Sequence, residues 1–294
     1  MRMTPEGNAL PVLLALLAAL MWGLWWMPIR YLETLGLSGS WGSVAMNGGA
    51  TLAGLAWIVI ARVPLRITAR GLFGAVLIGL AVTTYSVAIT LSDVIRVVLL
   101  FYLAPAWGKI IEWAFMGQRW GWLSTLAVLV ALFGAYLVLG GDISPDAINA
   151  GDALAVFSGV VWAAGAALLF TAGRMHPASL SFVTALAATL VGAALVWGIA
   201  DGGSTADVQP VGVTVGAFAG VIYVLPILLL TLWSAQRLSP AALSFLLTAE
   251  ILSGVISGAL FLDEPFGPMQ AAGATMVLLA AALEVVPVLM RKPA

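Results

Sequence analysis

The sequence has no cysteine, one histidine and few charged residues, which make up 9% of its 294 positions. Without cysteine the chain has no disulfides and no thiolate ligands for a metal. Soluble domains carry about 25% charged residues, so a water-soluble globule is excluded. The 12 basic and 13 acidic side chains give a net charge of -1, unlike the basic surface of a nucleic-acid-binding protein. Nucleic acid is therefore not expected as a partner.

Motifs of catalysis are missing as well. The sequence contains no HExxH, no Walker loop, no GxSxG and no pair of carboxylates in a connection. Each of these motifs would mark a metal site, a nucleotide site or an activated nucleophile. We therefore expect no enzymatic activity, no metal and no cofactor.

Hydrophobic residues are what the chain has in abundance, at 62% of its length. A membrane-crossing helix needs about 20 apolar residues, so ten spans fit in the chain with short connections. Helices are expected rather than a barrel, because the segments are continuously apolar and do not alternate with a period of two. The first segment lacks a small-residue cleavage site, and we interpret it as a retained helix rather than a signal peptide. The predicted spans 1 to 10 are Ala9–Tyr31, Gly42–Ala61, Gly71–Leu91, Val94–Met116, Gly121–Leu139, Asp152–Ala172, Ser179–Ala200, Gly212–Ala235, Pro240–Leu262 and Gly267–Met290.

The few charges divide between the two ends of these spans. Basic residues stay on the cytoplasmic side of a membrane. One end, called the arginine end here, has Arg2, Arg62, Arg66, Arg70, Arg119, Arg174, Arg237, Arg291 and Lys292. The other, called the acidic end, has Glu33, Asp93, Asp142, Asp146, Asp152, Asp201, Asp207, Asp263 and Glu264, with Arg30 and Arg96 as its basic residues. The arginine end is therefore predicted to be cytoplasmic, with both termini there.

Two halves of five spans each enter the membrane from opposite sides, so similarity between them indicates an inverted repeat. The sequence before Trp22 in span 1 is similar to that before Trp162 in span 6, and Leu91-Ser92-Asp93 is similar to Leu238-Ser239-Pro240. We predict an all-α integral membrane protein of ten transmembrane helices, built as two inverted five-helix repeats over residues 1–141 and 142–294.

The five-plus-five layout, Trp22-Gly23 in span 1 and the short turns before spans 5 and 10 resemble the drug/metabolite transporter superfamily, in its EamA-like branch. Within it the chain is most similar to bacterial exporters of aromatic amino acids. Two positions depart from the family pattern: Gln118 stands where Glu is more common, and Asp263-Glu264-Pro265 lacks a basic third residue. The resemblance implies a transporter in the bacterial inner membrane that exports amino acids, aromatic and other neutral ones first, through a cavity between spans 1, 3, 4, 6, 8 and 9. Its partners are then a small-molecule substrate and the lipid bilayer, and we expect a monomer, with a dimer left open.

Glu250 is the strongest single signal for a site. It lies near the middle of span 9, where a charged group is costly and its short side chain is far from either interface. Thr248 and Ser253 accompany it. We expect these residues to receive the polar head of a substrate; the alternative is a protonated carboxylic acid that joins two helices. Lys109 and Glu112, three residues apart in span 4, are expected to form a structural pair.

Four aromatic residues lie deep in their spans: Trp22, Tyr85, Tyr102 and Trp162. They can stack on an aromatic ligand or attract an ammonium group, and we expect them to enclose the substrate's apolar part; the alternative is packing between helices.

Glycine and proline interrupt corresponding spans of the two halves. Broken or bent helices are typical of transporter binding sites, so we expect hinges at Gly79, Pro105, Gly108, Gly220, Pro226 and Gly254. The alternative is close helix packing, since Gly216 with Gly220 and Gly254 with Gly258 have GxxxG spacing.

Three other functions are weighed against amino-acid export. A drug-like aromatic cation or another metabolite would suit Glu250 and the aromatic rings equally well. A membrane enzyme acting on lipids would need clustered carboxylates or histidines at one interface, which the sequence lacks. A channel would need rings of like charge rather than one central carboxyl.

Overall fold

The computed structural model describes residues 9–37, 40–117, 120–141, 148–198, 208–235, 237, 246–262 and 266–290. All regular structure in these ranges is helical. The helices are α1 (Ala9–Gly23), α2 (Trp26–Thr34), α3 (Trp41–Ile60), α4 (Ala69–Leu91), α5 (Val94–Phe101), α6 (Ala104–Met116), α7 (Trp122–Val138), α8 (Ala150–Thr171), α9 (Pro177–Gly198), α10 (Pro210–Ala219), α11 (Leu225–Ala235), α12 (Ala249–Phe261) and α13 (Pro268–Met290).

Seven helical stretches are long and apolar enough to cross a membrane: Leu10–Thr34, Trp41–Ile60, Ala69–Leu91, Val94–Phe115, Ala150–Thr171, Pro177–Trp197 and Pro210–Ser234. Among the described residues, three further apolar stretches are shorter: Trp122–Val138, Ala249–Phe261 and Pro268–Ala280, the last of which is the first part of α13. The all-helical, multi-pass fold is therefore confirmed, and the count of ten crossings stays a prediction. The first stretch continues to Thr34, beyond the predicted end of span 1 at Tyr31. Residues 240–245, the first part of predicted span 9, lie outside the described residues.

The helix ends follow local capping rules. The Thr68 hydroxyl accepts a hydrogen bond from the Gly71 backbone N–H at 3.1 Å and caps α4. Asn149 and Asp152 form a reciprocal capping box at the start of α8. At the end of α6, Gly117 adopts the left-handed conformation with φ of 66°, which glycine reaches without steric cost. These caps fix where the chain turns between spans.

Four spans are interrupted near their middle. Leu24 and Trp25 separate α1 from α2, Tyr102 and Leu103 separate α5 from α6, and Thr248 precedes α12. In the span at 210–235 a π-helical segment, Gly220–Val224, joins α10 to α11.

Proline explains three of these interruptions. Pro28 is the third residue of α2, and the carbonyl four residues before it is that of Leu24 in the interruption of span 1. Pro105 and Pro226 are each the second residue of the helix that follows the interruption. A proline ring removes a helical hydrogen bond and clashes with the carbonyl four residues earlier, here that of Phe101 and of Ile222. The Phe101 carbonyl instead lies against Gly159 of α8, where a Cβ would come within 2.7 Å of the oxygen.

Backbones approach closely where helices of different spans cross. α4 packs on α8 and α9, α3 on α9 and α10, α7 on α13, and α1 on α11 and α12. A Cβ built on Gly165 would lie 3.0 Å from the Gly74 carbonyl oxygen, and one on Gly273 would lie 2.7 Å from the Gly134 carbonyl oxygen. Small residues at these crossings allow van der Waals contact between the helices, which is the main attraction available in lipid.

Hydrogen bonds at each end of the bundle bring the charged connections of that end together. The Thr68 hydroxyl donates to the Ala172 carbonyl oxygen at 3.3 Å and Ser179 donates to that of Pro64 at 3.2 Å, so the loop with Arg62, Arg66 and Arg70 meets the one with Arg174. The Arg30 guanidinium donates to the Ser92 carbonyl oxygen at 3.3 Å, at the opposite end of the bundle.

Candidate functional site

Glu250 is the second residue of α12 and its side chain is buried. Tyr102, at the interruption between α5 and α6, has its hydroxyl 2.9 Å from Glu250 Oε2. Tyr85 of α4 has its hydroxyl 3.5 Å from Oε1, a long contact. The carboxyl group therefore lies between phenols that come from two other spans.

The Tyr102 hydroxyl also contacts the Leu247 carbonyl oxygen, one residue before the interruption at Thr248. A phenol has one proton to donate, and both neighbours of its oxygen accept hydrogen bonds when the carboxyl is ionised. Both contacts are hydrogen bonds when the carboxyl carries the proton, because Glu250 then donates to Tyr102 and Tyr102 donates to Leu247. The Tyr102 hydroxyl is thus shared between the carboxyl group and the backbone at the interruption of span 9.

Aromatic rings continue from the two tyrosines into the bundle. Phe101 has its ring centroid 5.0 Å from that of Tyr85, 5.7 Å from that of Tyr102 and 5.9 Å from that of Trp162. Trp162 also meets Trp22 edge to face at 5.8 Å. These distances are typical of attractive aromatic pairs, so Phe101 connects residues of spans 1, 3, 4 and 6 in one aromatic cluster.

The cluster extends to the π-helical segment of span 8. Tyr223 lies in that segment, its ring centroid 6.1 Å from that of Trp25, and its hydroxyl donates to the Met21 carbonyl oxygen. Two of the helix interruptions are thereby in direct contact.

Three tryptophans around the interruption of span 1 each donate an indole N–H to a hydroxyl on a different helix. Trp22 donates to Thr231 of α11 at 3.0 Å, Trp25 to Ser86 of α4 at 3.0 Å, and Trp26 to Ser257 of α12 at 2.8 Å. All three rings are buried. Since a buried N–H without a partner costs about 1 to 3 kcal/mol, these bonds define how span 1 sits against spans 3, 8 and 9.

Ser253 and Thr248 flank Glu250 along the chain. The Ser253 hydroxyl donates to the Glu250 carbonyl oxygen at 3.1 Å, so its proton serves the helix backbone. The α1 backbone crosses α12 here, because a Cβ on Gly23 would lie 2.8 Å from the Gly254 backbone nitrogen. Thr248 occupies the turn where α12 begins.

The structure brings together the residues that the sequence singled out. Glu250 meets Tyr85 and Tyr102 directly, and Trp22 meets Trp162. Sequence reasoning missed Phe101, Trp25 and Tyr223. The available signals were the spacing of three between Trp22 and Trp25, which puts both rings on one helix face, and the depth of Tyr223 in span 8. Phe101 gives no signal, since a phenylalanine in an apolar run is ordinary.

Five of the six residues expected to be hinges lie either at a helix interruption or at a close contact between helices. Pro105, Gly220 and Pro226 lie at interruptions, whereas Gly79 and Gly254 lie inside unbroken helices at close contacts. A Cβ on Gly79 would be 2.6 Å from the Thr184 carbonyl oxygen, and one on Gly254 would be 3.1 Å from Val98.

Gly108 differs from the other glycines in this set. It lies in α6, and a Cβ built there meets no atom within 4 Å.

Other charged groups in the described ranges lie elsewhere. The expected pair of Lys109 and Glu112 is confirmed, with Nζ 3.7 Å from Oε2. Among the residues that the structure describes, no three His, Asp or Glu side chains are grouped as metal ligands would be.

Comparisons with known proteins agree with this architecture. The model of the EamA-like transporter family matches the chain twice, over residues 9–140 and 149–286. No curated protein sequence matches the chain. A solved structure described only as "Crystal structure of protein" has a TM-score of 0.61 at 16% identity, covering 96% of this chain and 99% of that one, and it shows the fold alone. Because the two family matches together span most of its length, the chain belongs to the EamA-like transporter family, whose members are membrane transporters and not enzymes.

Proposed function

We propose that this chain exports amino acids, aromatic and other neutral ones first, across the bacterial inner membrane by alternating access. The observation that carries the proposal is Glu250, a buried carboxyl group held by Tyr102 among aromatic rings. An ionisable group deep in a membrane protein is costly and marks a substrate or proton pathway. The rings supply the apolar surface that an aromatic side chain needs.

Helix pairing supports two inverted repeats. The contact of α4 with α8 joins spans 3 and 6, and its counterpart, α11 with α1, joins spans 8 and 1. The contact of α1 with α12 joins spans 1 and 9, and its counterpart, α8 with α5 and α6, joins spans 6 and 4. A two-fold axis in the membrane plane requires such matched pairs.

In the proposed mechanism Glu250 receives the ammonium group of the substrate, with Thr248 and Ser253 beside it. Trp22, Tyr85, Tyr102 and Trp162 enclose the apolar side chain, and Phe101 holds three of these rings in place. The proton on Glu250 leaves when the ammonium arrives, so the site exchanges one positive charge for another. Movement about the interrupted helices then exposes the site on the other side.

A drug-like aromatic cation is the second candidate. Among the described residues, the hydrogen-bond partners of the Glu250 carboxyl group are two phenols, and none of the ion pairs there includes Glu250. An amino acid's carboxylate would therefore have to rely on neutral donors, whereas a monocation needs only Glu250 and the rings.

The test is a counterflow assay in proteoliposomes with labelled amino acids and a lipophilic aromatic cation. We expect Glu250→Gln to lose transport by about a hundredfold or more at unchanged folding, since the neutral amide cannot balance an ammonium. Glu112→Gln is the matched control, because Glu112 pairs with Lys109 away from the aromatic cluster. Full flux in Glu250→Gln would remove the assigned role, and flux of the cation alone would favour the second candidate.

A further inference from the structure

A second polar cluster lies at the acidic end, apart from Glu250. Asp152 of α8 is 2% exposed and forms an ion pair with Arg96 of α5. Its other oxygen accepts a hydrogen bond from the Ser92 hydroxyl at 2.8 Å. Asn149 donates from its side-chain amide to the same Ser92 oxygen at 3.0 Å. We call these four residues the acidic-end latch.

The latch joins the two proposed repeats. Ser92 lies in the turn between spans 3 and 4, Arg96 lies in α5 at the start of span 4, and Asn149 and Asp152 begin span 6. The backbones also touch here, since a Cβ on Gly151 would come within 2.9 Å of the Ala88 carbonyl oxygen. No opening at this end between spans 3, 4 and 6 is possible while these contacts persist.

The inverted repeat gives this junction a counterpart at the arginine end, where the two charged positions are apolar. The offset that aligns Ser92 with Ser239 aligns Arg96 with Leu243, and the one that aligns Trp162 with Trp22 aligns Asp152 with Val12. The pairing of Arg96 with Asp152 therefore has no equivalent at the aligned positions. The ion pair and the two hydrogen bonds of Ser92 must all separate before the acidic end can open.

We propose that the acidic-end latch is a gate of this transporter, which holds the acidic end closed and must separate in each transport cycle. The proposal rests on the alternating-access function proposed above. The four residues of the latch then set the equilibrium between the state open at the acidic end and the state open at the arginine end. They do not contact the substrate.

The cysteine-free sequence allows a test that needs no substrate. Ala155 of α8, one turn further into the bundle than Asp152, is fully buried and serves as the reporter in Ala155→Cys. The labelling rate of this thiol by a bulky charged maleimide is measured in nanodiscs, where both faces are accessible. We expect Arg96→Gln and Asp152→Asn each to raise the rate by about tenfold or more.

Two controls separate gating from general loosening. Glu112→Gln removes another ion pair, Lys109 with Glu112, which lies within α6; its labelling rate should match that of the parent. A second reporter, Ala185→Cys in the fully buried part of α9, should label slowly in every variant. Arg96→Gln leaves the α8 capping box intact and covers the case in which Asp152→Asn does not fold.

A disulfide across the latch would hold the acidic end closed, the opposite of the change expected for Arg96→Gln and Asp152→Asn. Ser92→Cys with Asn149→Cys should cross-link on oxidation and stop counterflow, and reduction should restore it, while oxidation should not change the flux of either single variant. Equal labelling of Ala155→Cys in parent, Arg96→Gln and Asp152→Asn would overturn the gate, as would full flux in the cross-linked protein. An absence of flux in the parent would instead count against the proposed substrates and leave the labelling result to decide the gate.

Discussion

Tyr102 is the residue that ties the carboxyl group to a helix interruption. Its hydroxyl contacts both Glu250 Oε2 and the Leu247 carbonyl oxygen. We expect Tyr102→Phe to lower transport by about tenfold or more, because the ring is kept while Glu250 loses its shortest polar contact. Initial rates of counterflow in proteoliposomes measure this loss.

The matched control for that substitution is Tyr31→Phe, which removes a phenol from a side chain that is 57% exposed. It should transport like the parent protein. If Tyr102→Phe also retained full transport, the Tyr102 hydroxyl would have a packing role only.

The role proposed for Glu250 leads to a pH dependence. A protonated Glu250 must release its proton before it can balance an ammonium group, so substrate and proton compete for one site. Lowering the pH then weakens apparent substrate affinity, and raising it strengthens affinity until the carboxyl is fully ionised. Substrate titrations of purified protein at several pH values, followed by tryptophan fluorescence, measure the effect. An affinity that is independent of pH would contradict proton competition.

The polar residues of this site could be predicted from the sequence better than the aromatic packing around them. Glu250 could be predicted because an ionisable residue in the middle of a span has an evident cost, and Tyr85 and Tyr102 because a buried phenol needs a partner. Phe101 could not, although it contacts three other rings of the cluster. Its position depends on the interruption that follows it, which a hydropathy pattern does not reveal.

Within the helices, Gly220 and Gly108 are both predicted as hinges, and alanine at these positions should change Tm in opposite directions. Gly220 starts the π-helical segment and its missing Cβ would lie 2.7 Å from the Ala50 backbone nitrogen of α3. Because a backbone atom cannot move aside cheaply, we expect Gly220→Ala to lower the free energy of unfolding by about 1 to 3 kcal/mol. Thermal unfolding in detergent should show a clear decrease in Tm.

Gly108 of α6 has open space around its missing Cβ. Alanine is a better helix former than glycine by about 1 kcal/mol, so Gly108→Ala should raise Tm. If the α6 backbone bends here during transport, the same variant should transport several times more slowly. Unchanged transport in this stabilised variant would show that Gly108 is not a hinge.

The positions of the helices could be predicted from the sequence better than the interruptions within them. Pro28, Pro105 and Pro226 predict three of the interruptions, since proline removes a helical hydrogen bond to the carbonyl four residues earlier. The interruption at Thr248 has no proline in the turn that follows it, and it coincides with the contact of Tyr102 with the Leu247 carbonyl oxygen. That contact is tertiary and cannot be inferred from the local sequence.

For the whole molecule, the division of charges makes a prediction about topology. Loops of the arginine end pack together through Thr68 and Ser179, and Arg30 and Ser92 meet at the acidic end. If basic residues face the cytoplasm, a cysteine at Arg66 should be shielded from an impermeant maleimide added outside cells. A cysteine at the exposed Ile148 should react. The reverse result would invert the predicted orientation.

The number of crossings is the remaining property of the whole chain. Seven stretches are long and apolar enough to cross, and three further apolar stretches are shorter among the described residues. Seven crossings put the two termini on opposite sides of the membrane, and ten put them on the same side. The pairing of α7 with α13 places the helices that close the two proposed repeats against each other, which allows both to cross together. We therefore expect a green fluorescent protein fused to the C-terminus to fluoresce and an alkaline phosphatase fused there to be inactive, with the N-terminus also cytoplasmic. With seven crossings the phosphatase would instead be active, and the repeats would not be related by inversion.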